Sequence, residues 1–391
     1  MAWTTVVKDT SFDVGSSGTT SCMRRTAVGI TGKIYNIGND DDKVYLYESI
    51  DNGDTWSKEI VFDGEGVAQF VGSLAIGYSD VVHVVWHRTI AQTAADRVYY
   101  RRRTSGVWSD VETISSGSGS SMASMIISTA DILHIAYLKI LSNRYTVYYT
   151  NNGAGSWLVT PERVSTLSQS YYRPCIAMGT TVVDWGDSRN AVHVYSDRHN
   201  AFNDPYSIVH RERDLDGVWS AETVVDTAVG SYPNIWNTVQ SAVISSDYTQ
   251  DVVFITGNDK VYYIQKPLGE AWAAKELVRD LPGIPTLPFA SLTVDSVGTR
   301  RIVVGHNPTV TRYLYYSYKL VDGVSWVHET LHTSSATKQM PNTIWQVHPN
   351  YQPTAGDCFV VFNGGQYQFW KHPDWVPVVP VSSGQDYAYF M

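Results

Sequence analysis

A tryptophan placed just beyond a turn recurs along this chain, and that recurrence limits the fold more than any other feature. The segments are WSKEIVFDGEG from Trp56, WSDVETISSGSG from Trp108, WLVTPERVSTLS from Trp157, WSAETVVDTAVG from Trp219, WAAKELVRDLPG from Trp272 and WVHETLHTSSAT from Trp326. Turn formers precede most of them, as in TSGVW, NNGAGSW, DLDGVW and LVDGVSW. Before most turns lies aromatic strand text: RVYYRRR, YTVYYT, KVYYIQK, RYLYYSYK. The interval is about 50 residues, longest between Trp157 and Trp219, and a unit of that length made only of strands and turns is a propeller blade.

A second apolar strand precedes each aromatic one: KIYNIG, VVHVVWH, ILHIAYL, AVHVYSD, DVVFITG, RIVVGHN and CFVVFNG. Seven such strands predict an all-β chain folded as one seven-bladed propeller of four-stranded antiparallel blades. After the seventh, the text VPVVPVSSG carries two prolines, which suit a strand interior poorly. WTTVVKDTSFDVGSS from Trp3 matches WSAETVVDTAVGSY from Trp219 in pattern. The expectation is therefore a propeller over 1–375, with 1–15 closing the last blade against 357–375, and a tail over 376–391. Each repeated Trp is expected to pack over its own hairpin turn.

Composition narrows the partners. The net charge of −9 supplies no clustered basic surface for a nucleic-acid backbone. RVYYRRR at 97–103 is the local exception, and its alternation predicts a solvated strand face. The 26 Tyr and 13 Trp suit half-buried sheet surfaces. Cys22, Cys175 and Cys358 form no CxxC pair and are expected as buried thiols. No apolar run is long enough for a membrane helix. MAWTTVVKDTSF lacks the regions of a secretion signal, so either a mature form or another route of exit is expected. No cofactor motif is present.

The stretch Ser49, Asp51, Gly53, Thr55, Trp56 reads Ser-x-Asp-x-Gly-x-Thr-Trp in full. This resembles the Asp-box, or BNR-repeat, propellers of the sialidase-like superfamily. The turns at Asp216-Gly217-Val218-Trp219 and Asp322-Gly323-Val324-Ser325-Trp326 are degenerate versions. The resemblance implies that the box is structural and lies at the blade periphery, away from the ligand face. It also implies a first arginine on the first inner strand, where Arg24 and Arg25 stand, but within CMRRTAV rather than the family's motif. The following loop offers Asp40, Asp41 and Asp42. The remaining arginines and the Tyr–Glu nucleophile pair have no counterpart.

In a propeller, the loops joining second to third strands and one blade to the next share a face. Here they contain Trp86, His87, Arg88, Asp197, Arg198, His199, His306 and Asn307, and Arg24, Arg25, Tyr171, Tyr172, Arg173 and Trp236. Aromatic faces that stack on sugar rings, interleaved with groups that fix hydroxyls, are what glycan recognition requires. His134 and His193 lie on apolar strands and are assigned to the core. His87, His199 and His306 come from different blades and predict no metal site.

Two function classes follow. The favoured one is a non-catalytic recognition or assembly module, carbohydrate-binding, of extracellular type or on a virion surface such as a phage tail or capsid. Its tail is expected to meet copies or neighbours. The alternative is a glycan-active enzyme, a polysaccharide lyase before a glycosidase or sialidase. Tyr172 or His199 would then be the base and Arg198 would neutralise a uronate, because β-elimination needs a base beside a charge-neutralising cation.

Overall fold

The computed structural model describes residues 4–371 except 10–24, 30, 41, 52, 78–79, 89–95, 116–118, 129, 154, 167–168, 180–190, 200–205, 215, 228–236, 246, 258, 282–288, 295–297, 307–311, 335–338, 344–345, 348–357 and 364–365. The fold is an all-β propeller of four-stranded antiparallel blades. Six blades follow one another along the chain. Blade one comprises Thr26–Val28, Ile34–Asp40, Lys43–Ser49 and Ser57–Asp63. Blade two comprises Gln69–Ile76, Val82–Arg88, Arg97–Thr104 and Glu112–Thr113, with the short strand Val107–Trp108 also pairing its third strand. Blade three has Ser120–Ile127, Leu133–Leu141, Arg144–Asn151 and Glu162–Arg163; blade four has Ser170–Met178, Val192–His199, Ser207–Arg213 and Thr223–Thr227. Blade five has Asn237–Ile244, Gln250–Thr256, Lys260–Lys266 and Glu276–Asp280; blade six has Phe289–Val294, Arg300–His306, Arg312–Lys319 and Val327–Ser334.

A further sheet is composite. It orders Gln339–Thr343, Cys358–Asn363 and Gln366–Lys371, and adds Thr4–Asp9 at its edge, with Thr4 opposite Lys371 and Val7 opposite Gln368. The structure supports six blades of the continuous kind. The composite sheet carries the pairing expected of the N-terminal segment, Thr4–Asp9 against Gln366–Lys371, and so joins two remote parts of the chain. Residues 376–391, expected as a tail, lie outside the described residues, as do 10–15 of the expected closing segment.

The core sits between blades rather than inside them. Second strands are buried on both faces, so VHVVWHR reads as a nearly continuous apolar run. The outer strand SKEIVFD alternates because only one face meets a neighbour. Blades three and four share one cluster containing Leu138, Val147, Tyr171, Ile176 and Val194. Blades four and five share another with Cys175, Tyr195, Val239 and Phe254.

The repeated tryptophans do more than close their own hairpins. Trp56 does so: its Nε1–H donates to Gly53 O at 3.0 Å, within a box in which Asp51 accepts from Thr55 N at 2.8 Å and from Ser49 Oγ at 2.8 Å. Later ones reach the preceding blade. Trp157 Nε1 donates to Glu112 at 2.8 Å, Trp219 Nε1 to Glu162 at 2.8 Å and Trp326 Nε1 to Glu276 at 3.1 Å. Arg213 and Lys319 grip Glu162 and Glu276 from the same side as the indoles. Each ring also meets an aromatic of the preceding blade edge-on, Trp157 on Tyr100, Trp219 on Tyr149 and Trp326 on Tyr263. Similarly, RVYYRRR is not simply a solvated face. Arg101 donates to Val61 O and Arg103 pairs with Glu48 at 2.7 Å, both in blade one.

Candidate functional site

Among the described residues, a polar and aromatic cluster lies on blade four, at the end bearing the loops that join second to third strands. Tyr172 and Arg173 come from the start of the inner strand, Arg198 and His199 from the end of the second, and Tyr206 from just before the third. Register places Ser170 opposite His199, Tyr171 opposite Arg198 and Tyr172 opposite Asp197. A bulge between Tyr172 and Cys175 then shifts the pairing, and Arg173 occupies it with φ of 49°. An inserted residue at a bulge re-aims its side chain.

Four rings gather here. Tyr172 and Tyr206 are parallel within 5° with centroids 6.5 Å apart. Tyr145 of blade three lies 5.0 Å from Tyr172, and His199 lies 4.6 Å from Tyr206. All four are partly exposed. Burial, together with the neighbouring phenols of Tyr206 and Tyr145, raises the Tyr172 pKa, so this phenol keeps its proton at neutral pH.

Both arginines are held by carboxylates. Arg173 Nη1 lies 3.1 Å from Asp197 Oδ2, and Asp197 Oδ1 accepts the Val239 amide of blade five at 2.8 Å. Asp197 is fully buried, and burial pushes its carboxyl up to about 7 although Arg173 and the amide oppose this. Arg198 Nη1 lies 2.7 Å from Glu222, which also accepts from Tyr171 Oη at 3.0 Å.

The other expected ligand residues are distributed differently. Trp86 is fully buried among Phe62 and Tyr99, so it packs rather than binds. Tyr171 is buried, with its hydroxyl shared between Thr166 and Glu222. His87 is buried against Phe70, and burial with nearby Arg25 lowers its pKa to about 3. His306 is buried and stacked on Tyr313, with burial lowering its pKa to about 4. Arg25 is buried, and Arg88 is half-buried at the end of its strand. Trp86, His87 and His306 are buried because they lie on second strands, which neighbouring blades cover on both sides. Arg24, Trp236 and Asn307 lie outside the described residues. Among the described residues, no three His, Cys, Asp or Glu gather to hold a metal. Of the two histidines assigned to the core, His193 is buried and bonds His210 at 3.0 Å, while His134 is half-buried and bonds Tyr149 at 2.7 Å.

Sequence reasoning missed Tyr145, Tyr206 and Glu222. Tyr206 had a local signal, an aromatic between the turn text NDP and a strand. Glu222 had none, since it stands just before the outer strand and meets Arg198 of the second strand only in the folded blade.

No family model matches the chain, and no curated protein does. Solved structures do. A polysaccharide lyase described as an ulvan lyase of a new family superposes with TM-score 0.62 and 11% identity, over 93% of this chain and 95% of that one. The polysaccharide lyase Uly1 gives 0.56 and 9%, over 93% and 92%. The BP39L lectin from Burkholderia pseudomallei gives 0.56 and 11%, over 91% and 99%. At these identities the likeness establishes the propeller fold alone.

Proposed function

We propose that this protein is a non-catalytic glycan-binding propeller whose site is the aromatic cluster of blade four. The observation that carries the reading is the parallel pair Tyr172 and Tyr206 with Tyr145 and His199 beside it. Such a surface stacks on the apolar face of a sugar while the adjacent polar groups fix hydroxyls. Lectin and lyase neighbours on the same fold support a carbohydrate ligand.

Two facts favour binding over elimination. Arg198, the cation that would neutralise a uronate during elimination, is itself paired with Glu222 of the protein. Tyr172 has a raised pKa, which makes it a poor base at neutral pH. The same reading takes the composite sheet as the closing blade of a seven-bladed ring. It sets the protein on an exposed particle surface, such as a phage tail or capsid, with 376–391 meeting neighbours. A composition rich in Ser, Thr, Gly and Tyr and poor in Lys supports that setting.

The test is a glycan array followed by titration of the best ligand. Tyr172→Ala or Tyr206→Ala should weaken binding about tenfold, the equivalent of ~1.4 kcal/mol for one good aromatic contact. Unchanged affinity in both would overturn the site. Incubation with uronate polysaccharides should produce no ultraviolet-absorbing unsaturated ends; their appearance, and loss in Tyr172→Phe, would establish the lyase instead.

A further inference from the structure

The Arg173–Asp197 pair is not a packing requirement of the fold. The bulge that holds Arg173 recurs in blade three between Ser121 and Ser124, with Met122 in the same left-handed backbone, φ 52°. The place of Asp197, four residues beyond His193, is taken by buried Leu138 in blade three and buried Ile255 in blade five. In blade three, then, apolar side chains satisfy both positions, while blade two has buried His87 in the place of Asp197. A buried ion pair gains little stability over such residues. What distinguishes the pair is its asymmetry: the Asp197 side chain is fully buried, whereas the Arg173 side chain is 22% exposed beside the Tyr172 ring.

We propose that Arg173 is the anion-binding group of this site, that Asp197 holds it as an internal carboxylate, and that the carboxylate of a uronate-bearing glycan takes the place of Asp197, which gains a proton from solvent. This rests on the glycan-binding reading and adds the ligand's charge and its coupling to protons. The groups facing Asp197 allow the exchange. Arg173 and Tyr172 face it from the inner strand, Ile208 lies opposite on the third strand, and blade five presents the Val239 amide. The amide bond to Oδ1 survives protonation at Oδ2, so blades four and five stay joined. The buried carboxyl already takes up a proton near neutrality, because burial disfavours its charge.

Calorimetry in buffers of different ionisation enthalpy tests this, with a glucuronate oligosaccharide and a glucose oligosaccharide of equal length. Binding of the glucuronate oligomer at pH 8 should take up close to one proton. Its affinity should fall about tenfold for each pH unit above 7, as linkage to a single proton requires. Asp197→Asn should bind without proton uptake and with a flat pH profile. Arg173→Met, which installs the residue of blade three, should lose at least tenfold for the glucuronate oligomer. Absence of uptake in the natural protein, uptake unchanged in Asp197→Asn, or undiminished binding by Arg173→Met would overturn the proposal. If neutral glycans bind through Tyr172 while glucuronate does not, the exchange falls and the glycan-binding site stands. If no glycan binds, both fall.

Discussion

Glu162 offers the sharpest test of how the blades are held together. It sits on the outer strand of blade three and accepts Arg213 Nε at 2.8 Å, Arg213 Nη2 at 2.7 Å and Trp219 Nε1 at 2.8 Å, all from blade four. Arg213 also lies 5.2 Å over the Tyr149 ring, which Trp219 meets edge-on. The side chains of Arg213 and Glu162 are 19% and 28% exposed, so solvent weakens the pair only partly. A hydrogen bond to a charged group contributes about 1.5–3 kcal/mol. The three bonds share one carboxylate and are not additive. Glu162→Ala should therefore cost ~2–3 kcal/mol, at the upper end of a single charged bond and below the loss of a fully buried pair. For a chain of this size that lowers the melting temperature by about 3 °C. Guanidinium denaturation followed by tryptophan fluorescence measures it. The control is Asp280→Asn, which breaks a pair with an Asp280 side chain 63% exposed and should change stability by less than ~0.5 kcal/mol. A cycle with Trp219→Phe should show positive coupling. If Glu162→Ala matches the control, or adds independently to Trp219→Phe, the inter-blade clamp is wrong and the indole stabilises only its own hairpin.

Acidification below pH 6.5 should destabilise the protein. Burial lowers His83, His87 and His193 to about 3 and His134 to about 4, from 6.5 in the unfolded chain. The unfolded state thus binds more protons below 6.5, and each residue removes up to ~1.4 kcal/mol per pH unit as pH falls toward 4. Asp197 and Asp259, both raised to about 7, act in the opposite sense between 4 and 7 but are outnumbered by these histidines together with the lowered His210 and His306. A denaturation midpoint that rises between pH 6.5 and 5 would contradict this. Asp51→Ala should cost about 1 kcal/mol and speed amide exchange at Gly53 and Thr55, leaving blade-four amides and glycan binding unchanged. Hydrogen exchange reads all of these positions together. Deleting residues 1–9 strips Thr4–Asp9 from Gln366–Lys371 and exposes a strand edge, so the melting temperature should fall and aggregation rise. An unchanged melt would show that the strand contributes nothing.

What the sequence determined by itself is what repeats locally. Strand alternation, turn text and the Trp interval are written in neighbouring residues, because backbone pairing within a hairpin joins residues close in the chain. They suffice for the all-β class, the propeller and the hairpin tip at 49–56, in which Ser49, Asp51, Gly53 and Thr55 bond one another. Tertiary structure decided everything that crosses from blade to blade. Glu162 and Trp219 are remote in sequence, and only the twist and stacking of the blades bring the carboxylate under the indole. The same stacking buried Trp86, His87 and His306, which a loop reading placed on a ligand face. Within blade four, folding paired Arg173 with Asp197 across a bulge and Arg198 with Glu222, so that two cations legible in the sequence became held cations in the fold. Charge pairing and burial depend on three-dimensional neighbours, and a one-dimensional pattern carries them only where those neighbours are also neighbours in the chain.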